Sequence, residues 1–134
     1  MYRKTLKYDD YMTKVAIIED DLVISQMYRM KFEGAGLEVQ MAGNGARGVE
    51  LVEHFKPDII LLDLQMPEMD GVEALEIMRK KPWGKDIPVI ILTNIGEEEA
   101  PKKLKDLGVQ SYIVKANLTP NQVLERVKKT LNIK

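Results

Sequence analysis

Short apolar runs alternate along the chain with segments whose apolar residues recur at helical spacing. Three of the runs are rich in valine, isoleucine and leucine: Val15–Ile18, Ile59–Leu62 and Val89–Leu92. Runs that are apolar on both faces are typical of parallel strands buried between two layers of helices. Two weaker runs follow the same rhythm. Leu37–Met41 alternates apolar and polar residues, which predicts an edge strand, and Tyr112–Val114 is the fifth predicted strand.

Five predicted helices fill the gaps after these strands. Apolar spacing and the positions of glycine and proline place them at 21–33, 46–55, 72–80, 97–107 and from residue 119 onward. The last one has the clearest start, because Thr119 can cap it, Pro120 suits the first helical position and Gln122 completes a capping box. Asp21 is assigned to the first turn of the first helix, where a negative charge suits the helix dipole. Asp70 is assigned a structural role, as a helix cap or a turn residue. The alternation predicts an α/β fold with a five-stranded parallel sheet and helices on both faces.

The chain of 134 residues has the length of one domain. The strand and helix pattern occupies residues 13–134, which we therefore predict to be a single domain. Residues 1–12 lie outside the pattern and form an N-terminal extension. A flexible leader, a short added helix and a cloning remnant are all open interpretations of this extension, and Met12 is an alternative start.

Composition excludes several classes of function. Cysteine is absent, which removes disulfides, thiolate metal sites and cysteine nucleophiles. The 20 basic and 21 acidic side chains give a net charge of -1, so no overall field attracts nucleic acid or anionic lipid. The apolar runs are too short to cross a bilayer, and the first residues lack the apolar centre of a signal peptide. We expect a cytoplasmic protein that contacts neither nucleic acid nor membrane directly.

Polar residues stand at the carboxyl ends of four predicted strands. Glu19 and Asp20 follow the first strand, Asp63 the third, Thr93 the fourth and Lys115 the fifth. In an open parallel sheet these ends meet at one edge, where ligands bind. Each residue alone would be an ordinary surface or capping residue. Together they place three carboxylates, one hydroxyl and one ammonium group at the same edge.

This set of side chains has a definite chemistry. Clustered carboxylates repel each other unless a cation bridges them, and oxygen ligands without histidine or cysteine favour Mg²⁺. A carboxylate can attack phosphorus to give an aspartyl phosphate, while a lysine and a hydroxyl interact with the phosphoryl oxygens. The residues therefore indicate a site for phosphoryl transfer to a carboxylate.

The sequence also resembles a known family. The strings VAIIEDD, PDIILLDLQMPEMDG, PVIILTN and SYIVK are similar, in order and spacing, to the receiver domains of two-component signalling, and the resemblance extends from about Lys14 to Leu131. It implies the flavodoxin-like receiver fold with five βα units. It also implies a signalling switch that catalyses only its own phosphorylation and dephosphorylation, and hence is not an enzyme in the usual sense.

The resemblance assigns roles at the acidic cluster. It implies that Asp63 is the phosphoacceptor and that Glu19 and Asp20 organise Mg²⁺. Asp20 and Asp63 would touch the metal directly, together with the backbone carbonyl of Gln65, whereas Glu19 would act through a water molecule.

The resemblance assigns the switch residues as well. Lys115 would bind the phosphoryl group, Thr93 would be the switch hydroxyl and Tyr112 the aromatic residue that reports the active state. Phosphorylation by a histidine kinase or phosphotransfer protein would draw Thr93 inward and let Tyr112 follow. The face formed by the fourth helix, fifth strand and fifth helix would then change and control an output protein, whose identity the sequence does not give.

Two positions depart from the family pattern. Ala116 stands where the family usually has a proline, preceded by a cis bond that aims the lysine. A cis bond before alanine would cost about 3–4 kcal/mol, so the loop is either strained or trans with altered geometry. Asn94 replaces a usually small residue after the switch threonine. We predict that it hinders the hydrolytic water and slows loss of the phosphoryl group.

Rival functions fit less well. An aspartate-nucleophile phosphatase needs an acid two residues after the nucleophile, where this chain has Gln65. A flavodoxin-like cofactor carrier needs a phosphate-binding loop where this chain has acidic residues. A degenerate receiver that binds proteins without phosphorylation is the remaining alternative, and Ala116 is its only support.

The sequence also bears on the oligomeric state. Many dimeric regulators of the family pair an arginine of the last helix with acids before the switch aromatic. Arg126 matches that arginine, but the preceding residues are Gln110 and Ser111, so the usual ion pair is absent. We therefore predict a monomer.

Overall fold

A computed structural model describes residues 12–134. Its single sheet has five parallel strands in the order β2-β1-β3-β4-β5. The strands are β1 (Lys14–Ile18), β2 (Glu38–Ala42), β3 (Ile59–Leu62), β4 (Val89–Thr93) and β5 (Ser111–Val114). The predicted parallel sheet is thus confirmed, and β2 lies at its edge as its alternating sequence indicates. The predicted strand limits agree with the observed ones to within one residue.

Helices cover both faces of the sheet. They are α1 (Leu22–Gly34), α2 (Gly45–Phe55), α3 (Gly71–Arg79) and α4 (Pro120–Leu131). Alternate strand residues point to opposite faces, so two separate cores form. Val15 and Ile17 of β1 belong to the core under α1 and α4, whereas Ala16 and Ile18 belong to the core under α2 and α3. Both faces of the central strands are therefore buried.

Side-chain caps fix the helix starts. Asp21 accepts hydrogen bonds from the backbone amides of Val23 and Ile24, and Asp70 forms a capping box with Glu73. Thr119 forms a second capping box with Gln122 at the start of α4. These bonds satisfy amides that have no partner inside the helix. The structural roles predicted for Asp21, Asp70 and Thr119 are confirmed.

The predicted helix over residues 97–107 is wrong. The structure has two short 3₁₀ segments there, Glu97–Glu99 and Lys102–Leu107. Ala100 and Pro101 between them are extended, with ψ of 147° and 136°. Proline has no N–H to donate, and its ring disfavours a helical conformation in the residue before it. The output face expected from the sequence therefore consists of 3₁₀ turns, β5 and α4.

Arg79, the last residue of α3, anchors the loops at the amino edge of the sheet. Its guanidinium donates to the carbonyl oxygens of Leu107 (2.7 Å), Ile87 (2.8 Å), Gly84 (2.9 Å) and Gly108 (2.9 Å). Burial lowers its pKa from the usual value, and the nearby Asp86 carboxylate opposes this shift. A planar guanidinium with five donors is suited to binding several carbonyls at once.

The predicted division of the chain is into an N-terminal extension, residues 1–12, and a domain, residues 13–134. Residues 1–11 lie outside the described residues, so the N-terminal extension of residues 1–12 stays a prediction. Within residues 12–134, every helix is too short or too polar to span a bilayer.

Candidate functional site

The strand register brings the predicted site residues to one edge of the sheet. Ile18 of β1 lies opposite Leu62 of β3, so Glu19 and Asp63 leave neighbouring strands at the same level. Asp63 is held there because its amide donates to the carbonyl oxygen of Ile18 at 3.0 Å. On the other side of β3, Thr93 ends β4 and pairs with Val114, the residue before Lys115. Residues far apart in the sequence therefore meet at one place.

Lys115 binds two carboxylates at the centre of this edge. Its Nζ donates to Oδ2 of Asp63 at 3.1 Å and forms a closer ion pair with Glu19. The Lys115 side chain is only 11% exposed and those of its two partners 5–6%. Burial alone would lower the pKa of Lys115, but the bonds to Glu19 and Asp63 outweigh it, so the pKa is raised. The lysine is charged and held against both acids.

The Lys115–Ala116 peptide bond is trans. Residues Lys115–Asn117 form a short 3₁₀ turn directly after β5, and from this turn the lysine side chain reaches the acids. Of the two geometries considered for this loop, the structure has the trans loop. Alanine at position 116 therefore does not remove the lysine from the site.

Three carboxylates form a group that can hold a cation. One oxygen each from Glu19, Asp20 and Asp63 lies within 4.8 Å of the others. Burial raises the pKa of Glu19, whereas the bonds from Lys115 and from the Asp21 amide lower it and the charge of Asp63 raises it further. A single lysine does not compensate three carboxylates. A hard divalent cation with oxygen ligands fits this donor set.

The β3–α3 loop approaches Asp63 closely. The Gln65 amide donates to Asp63 Oδ1 at 3.2 Å, and the Gly71 amide donates to the carbonyl oxygen of Leu64 at 3.0 Å. A Cβ atom at position 71 would lie 2.1 Å from the carbonyl oxygen of Asp63. Only glycine lets the start of α3 pack this closely against the backbone of Asp63.

We expect Gly71→Ala to destabilise the domain by about 2–3 kcal/mol, because backbone atoms must move to relieve the overlap. The movement displaces Asp63, so labelling of the protein by acetyl phosphate should also become slower. Urea unfolding and the labelling rate with acetyl phosphate measure the two effects. Gly34→Ala is the control, since among residues 12–134 no atom outside the adjoining turn of its own helix lies within 4 Å of a Cβ at that position. Equal stability of the two variants would contradict the assigned close approach.

Thr93 is completely buried at the end of β4. Its Oγ1 atom has no hydrogen-bond partner among residues 12–134. A buried hydroxyl without a partner costs free energy, so such groups are rare. The hydroxyl is available to a further acceptor at this edge of the sheet.

Tyr112 connects β5 to the loop that follows β4. Its hydroxyl donates to the carbonyl oxygen of Ile95 at 2.8 Å and approaches that of Gly96 at 3.4 Å. Its ring packs beside the core under α2 and α3. Burial, followed by the charges of Glu97, Glu99 and Asp63, raises the pKa of its phenol. Tyr112 is thus a neutral donor that holds the loop immediately after Thr93.

Several contacts at the site were not visible in the sequence. The strand ends predict that the acids, the threonine and the lysine share one edge of the sheet, and the structure places them there. The pattern does not predict the pairing of Lys115 with Glu19, the Gln65 amide at Asp63 or the bond from Tyr112 to Ile95. One sequence signal could have indicated the hydrogen bond from the Gln65 amide to Asp63. An aspartate that follows a buried strand often accepts a hydrogen bond from the backbone amide two residues later.

Comparisons with known proteins agree with this geometry. The family model for the response regulator receiver domain matches residues 15–128. The chain is 34% identical over 120 residues to the DNA-binding dual master transcriptional regulator RpaA of Synechocystis, covering 90% of this chain and 49% of the relative. It is 35% identical to the chemotaxis protein CheY of Treponema pallidum, covering 88% and 82%. A CheY-like receiver domain structure from Methanospirillum hungatei superimposes with a TM-score of 0.82 at 26% identity, covering 90% and 94%.

The chain belongs to the response regulator receiver domain family of two-component signalling. The match extends from β1 into α4, and the structural neighbour has the same flavodoxin-like fold. The chain spans about half the length of several curated relatives, including RpaA, and most of the length of the chemotaxis protein.

Proposed function

We propose that this receiver domain is a signalling switch that accepts a phosphoryl group on Asp63. One observation supports it above all: Lys115 is buried against Asp63 and Glu19, in a cluster whose three carboxylates lie close together. A structural ion pair would need one acid. The excess of acids over bases instead provides a nucleophile, a cation site and a charge partner for a phosphoryl group.

The transfer step requires a phosphohistidine on a histidine kinase or phosphotransfer protein. A carboxylate oxygen of Asp63 attacks phosphorus, and the new P–O bond forms as the P–N bond breaks. The electron pair of the broken bond stays on the imidazole nitrogen, which takes up a proton from solvent. Lys115 neutralises charge on the phosphoryl oxygens, and the buried Thr93 hydroxyl donates to one of them.

The residues present fit a magnesium ion. Asp20 and Asp63 would hold it directly with the backbone carbonyl of Gln65, and Glu19 would act through water. When bound, the ion neutralises the clustered carboxylates and the incoming phosphoryl oxygens. Asp20 is exposed and Glu19 is buried, which suits a direct contact of Asp20 with the ion and a water-mediated contact of Glu19.

The output step uses the contact between Tyr112 and the loop after β4. When Thr93 turns toward the phosphoryl group, the loop that begins at Asn94 shifts and the carbonyl of Ile95 moves with it. Tyr112 follows because its hydroxyl donates to that carbonyl at 2.8 Å. The phosphoryl group thereby shifts the domain from its inactive to its active conformation. The two conformations differ in the face made of the 3₁₀ turns, β5 and α4, which an output protein recognises.

The α4 residue Arg126 bears on the oligomeric state of the protein. Arg126 of α4 donates to the hydroxyl of Ser111 at 3.1 Å, where an acid would be needed for an ion pair between subunits. We infer a monomer that acts in the cytoplasm on a protein, without direct contact with nucleic acid or membrane. Its only catalysis is its own phosphorylation and dephosphorylation.

Acetyl phosphate tests the proposal. Purified protein incubated with Mg²⁺ and acetyl phosphate should gain the mass of one phosphoryl group, as measured by intact-mass spectrometry. In this reaction the P–O bond of acetyl phosphate breaks, and acetate leaves with its electron pair. Asp63→Asn should gain none, and chelation of Mg²⁺ should abolish labelling of the natural protein. Absence of labelling at every Mg²⁺ concentration would favour the alternative, a degenerate receiver that binds its partner without phosphorylation.

A second prediction concerns the lifetime of the phosphoryl group. Asn94 is exposed and directly follows Thr93, at the edge of the sheet where Asp63 follows the neighbouring strand β3. We expect Asn94→Ala to open the approach of water to Asp63 and to shorten the phosphoryl half-life severalfold. The decay of labelled protein after removal of acetyl phosphate measures it, and an unchanged or longer half-life would disprove the role given to Asn94.

A further inference from the structure

A short loop at the amino edge of the sheet carries three lysines and the single tryptophan of the chain. It joins α3 to β4 and has the sequence KKPWGKDIP at residues 80–88. Lys80, Lys81 and Lys85 are exposed. Trp83 lies between them in the sequence and is half-buried, because it packs against the core under α2 and α3. We call these four residues the lysine–tryptophan patch.

The positive charge of the lysine–tryptophan patch is not neutralised by neighbouring acids. Among residues 12–134, none of its three lysines forms an ion pair with a carboxylate. The one acid of the loop is Asp86. Burial lowers the pKa of Arg79 and the Asp86 charge opposes this shift, so Asp86 lies near Arg79 and balances its charge. The three lysine charges are therefore left for a negatively charged partner.

Hydrogen bonds and close packing hold the loop in shape. Arg79 donates to the carbonyl oxygens of Gly84 and Ile87 at 2.9 Å and 2.8 Å. The Gly84 amide donates to the carbonyl oxygen of Lys81 at 3.0 Å. A Cβ atom at position 84 would lie 2.4 Å from the carbonyl oxygen of Met78, so the turn packs directly on the end of α3. A preformed surface loses little conformational entropy when a partner binds to it.

The lysine–tryptophan patch is remote from the phosphorylation site. Gly71, the first residue of α3, packs against the backbone of Asp63, whereas Lys80 follows the last residue of the same helix. About 12 Å of helix separates the two ends. A partner bound at the patch therefore leaves Asp63 uncovered, and its binding does not require a phosphoryl group there.

The composition of the patch favours an acidic protein segment over other anions. The chain has a net charge of -1, so the rest of its surface repels a long polyanion such as nucleic acid. Trp83 is the one large apolar side chain of the patch and is half-buried, which is too little apolar surface to anchor the domain on a lipid bilayer. A short segment with several carboxylates and an apolar side chain complements both the lysines and the tryptophan.

We propose that the lysine–tryptophan patch is a docking surface for an acidic segment of a partner protein. Carboxylates of the segment pair with Lys80, Lys81 and Lys85, and an apolar side chain of the segment packs on the exposed part of Trp83. The partner stays bound whether or not Asp63 carries a phosphoryl group. Docking of this kind does not require the proposed function, because none of the four patch residues contributes to the site at Asp63.

The single tryptophan provides a direct test. A short oligoglutamate peptide with a central leucine is titrated into the purified protein at low ionic strength, and the emission of Trp83 is recorded. We expect a saturable change in emission that added salt weakens. Lys80→Gln/Lys81→Gln/Lys85→Gln should lower the affinity by about tenfold or more, because three charged contacts are lost together. Asp63→Asn should bind the peptide as the natural protein does.

A second triple variant separates docking from net charge. Lys102→Gln/Lys103→Gln/Lys105→Gln removes the same number of exposed lysines from the 3₁₀ segment Lys102–Leu107 and should keep the natural affinity. Equal weakening in both triple variants would overturn the docking surface, as would the lack of a saturable change in Trp83 emission. Tighter binding of an oligonucleotide or of phosphatidylglycerol vesicles than of the peptide, lost in the first triple variant, would assign the patch to another class of anion and would also overturn it.

Discussion

Replacement of Lys115 by methionine is expected to slow Mg²⁺-dependent labelling of Asp63 by acetyl phosphate by about 100-fold or more. Among residues 12–134, Lys115 is the one cationic side chain in contact with the Asp63 carboxylate, at 3.1 Å from Oδ2. Removal of one hydrogen-bond donor from a charge that develops in a transition state typically costs about 2.7–4 kcal/mol in the barrier. Intact mass as a function of time gives the rate.

Controls distinguish loss of charge from loss of structure. Lys129→Met removes an exposed lysine of α4 and should leave labelling unchanged. Lys115→Arg keeps the charge but changes its shape, so labelling should recover only in part. A natural labelling rate in Lys115→Met would show that this lysine does not serve the phosphoryl group.

The same variant should show an altered pH dependence of stability in the absence of metal. Burial raises the pKa of Glu19 above its ordinary 4.5 and Lys115 opposes this, so the rise becomes larger without the lysine. A raised carboxyl pKa means that the folded state binds the proton more strongly than the unfolded state. Stability is therefore lost as pH rises from 4.5 through the folded pKa. The deficit of Lys115→Met in urea unfolding with EDTA should be larger near neutral pH than near pH 4.5.

Arg79→Met is expected to destabilise the domain by about 3 kcal/mol, the largest effect we predict for a residue far from the site. Hydrogen bonds to a charged group each contribute about 1.5–3 kcal/mol, and partial solvent access to the four carbonyls reduces their sum. The variant releases the loop before β4 and the turn before β5 together. Thermal unfolding should show a midpoint lower by roughly 10 °C.

Two comparisons make the Arg79 prediction specific. Arg29→Met breaks an exposed pair with Glu33 on α1 and should cost less than about 0.5 kcal/mol. Arg79→Lys keeps the charge but cannot bind four separated carbonyls, so it should recover little of the loss. Acetyl phosphate labelling of Arg79→Met at low temperature should stay natural, because α3 separates Arg79 from Asp63. A loss of stability no larger than in Arg29→Met would refute the anchoring role.

The sequence contained most of this fold because burial on both faces leaves a strong pattern. Ile59–Leu62 and Val89–Leu92 were predicted as strands on apolar content alone, and they form the centre of the sheet. The capping box of Thr119 and Gln122 predicts the start of α4, and the structure has it there. In the segment from 97 to 107 the apolar residues recur at helical spacing, so the prediction of a helix there is wrong. Pro101 prevents continuous helical hydrogen bonds, and two 3₁₀ turns form instead.

The site was predictable in its members but not in its contacts. Parallel strands force their carboxyl ends to one edge, so the positions of Glu19, Asp63 and Lys115 followed from the strand assignment. Which acid the lysine contacts depends on side-chain rotamers and on the turn after β5, and a sequence pattern does not define these. The bonds of Arg79 were invisible for a similar reason, since their carbonyl partners are backbone groups that leave no signature in the sequence.

The assembly of the site from β1, β3, β4 and β5 has a consequence for protein synthesis. Asp63 leaves the ribosome long before Lys115, and a nascent chain that ends at β4 has the Asp63 carboxylate without its lysine. On the proposed function, such a chain is not expected to take up a phosphoryl group efficiently, and neither is a fragment left by premature termination. The proposed switch would then be confined to molecules whose synthesis has passed β5.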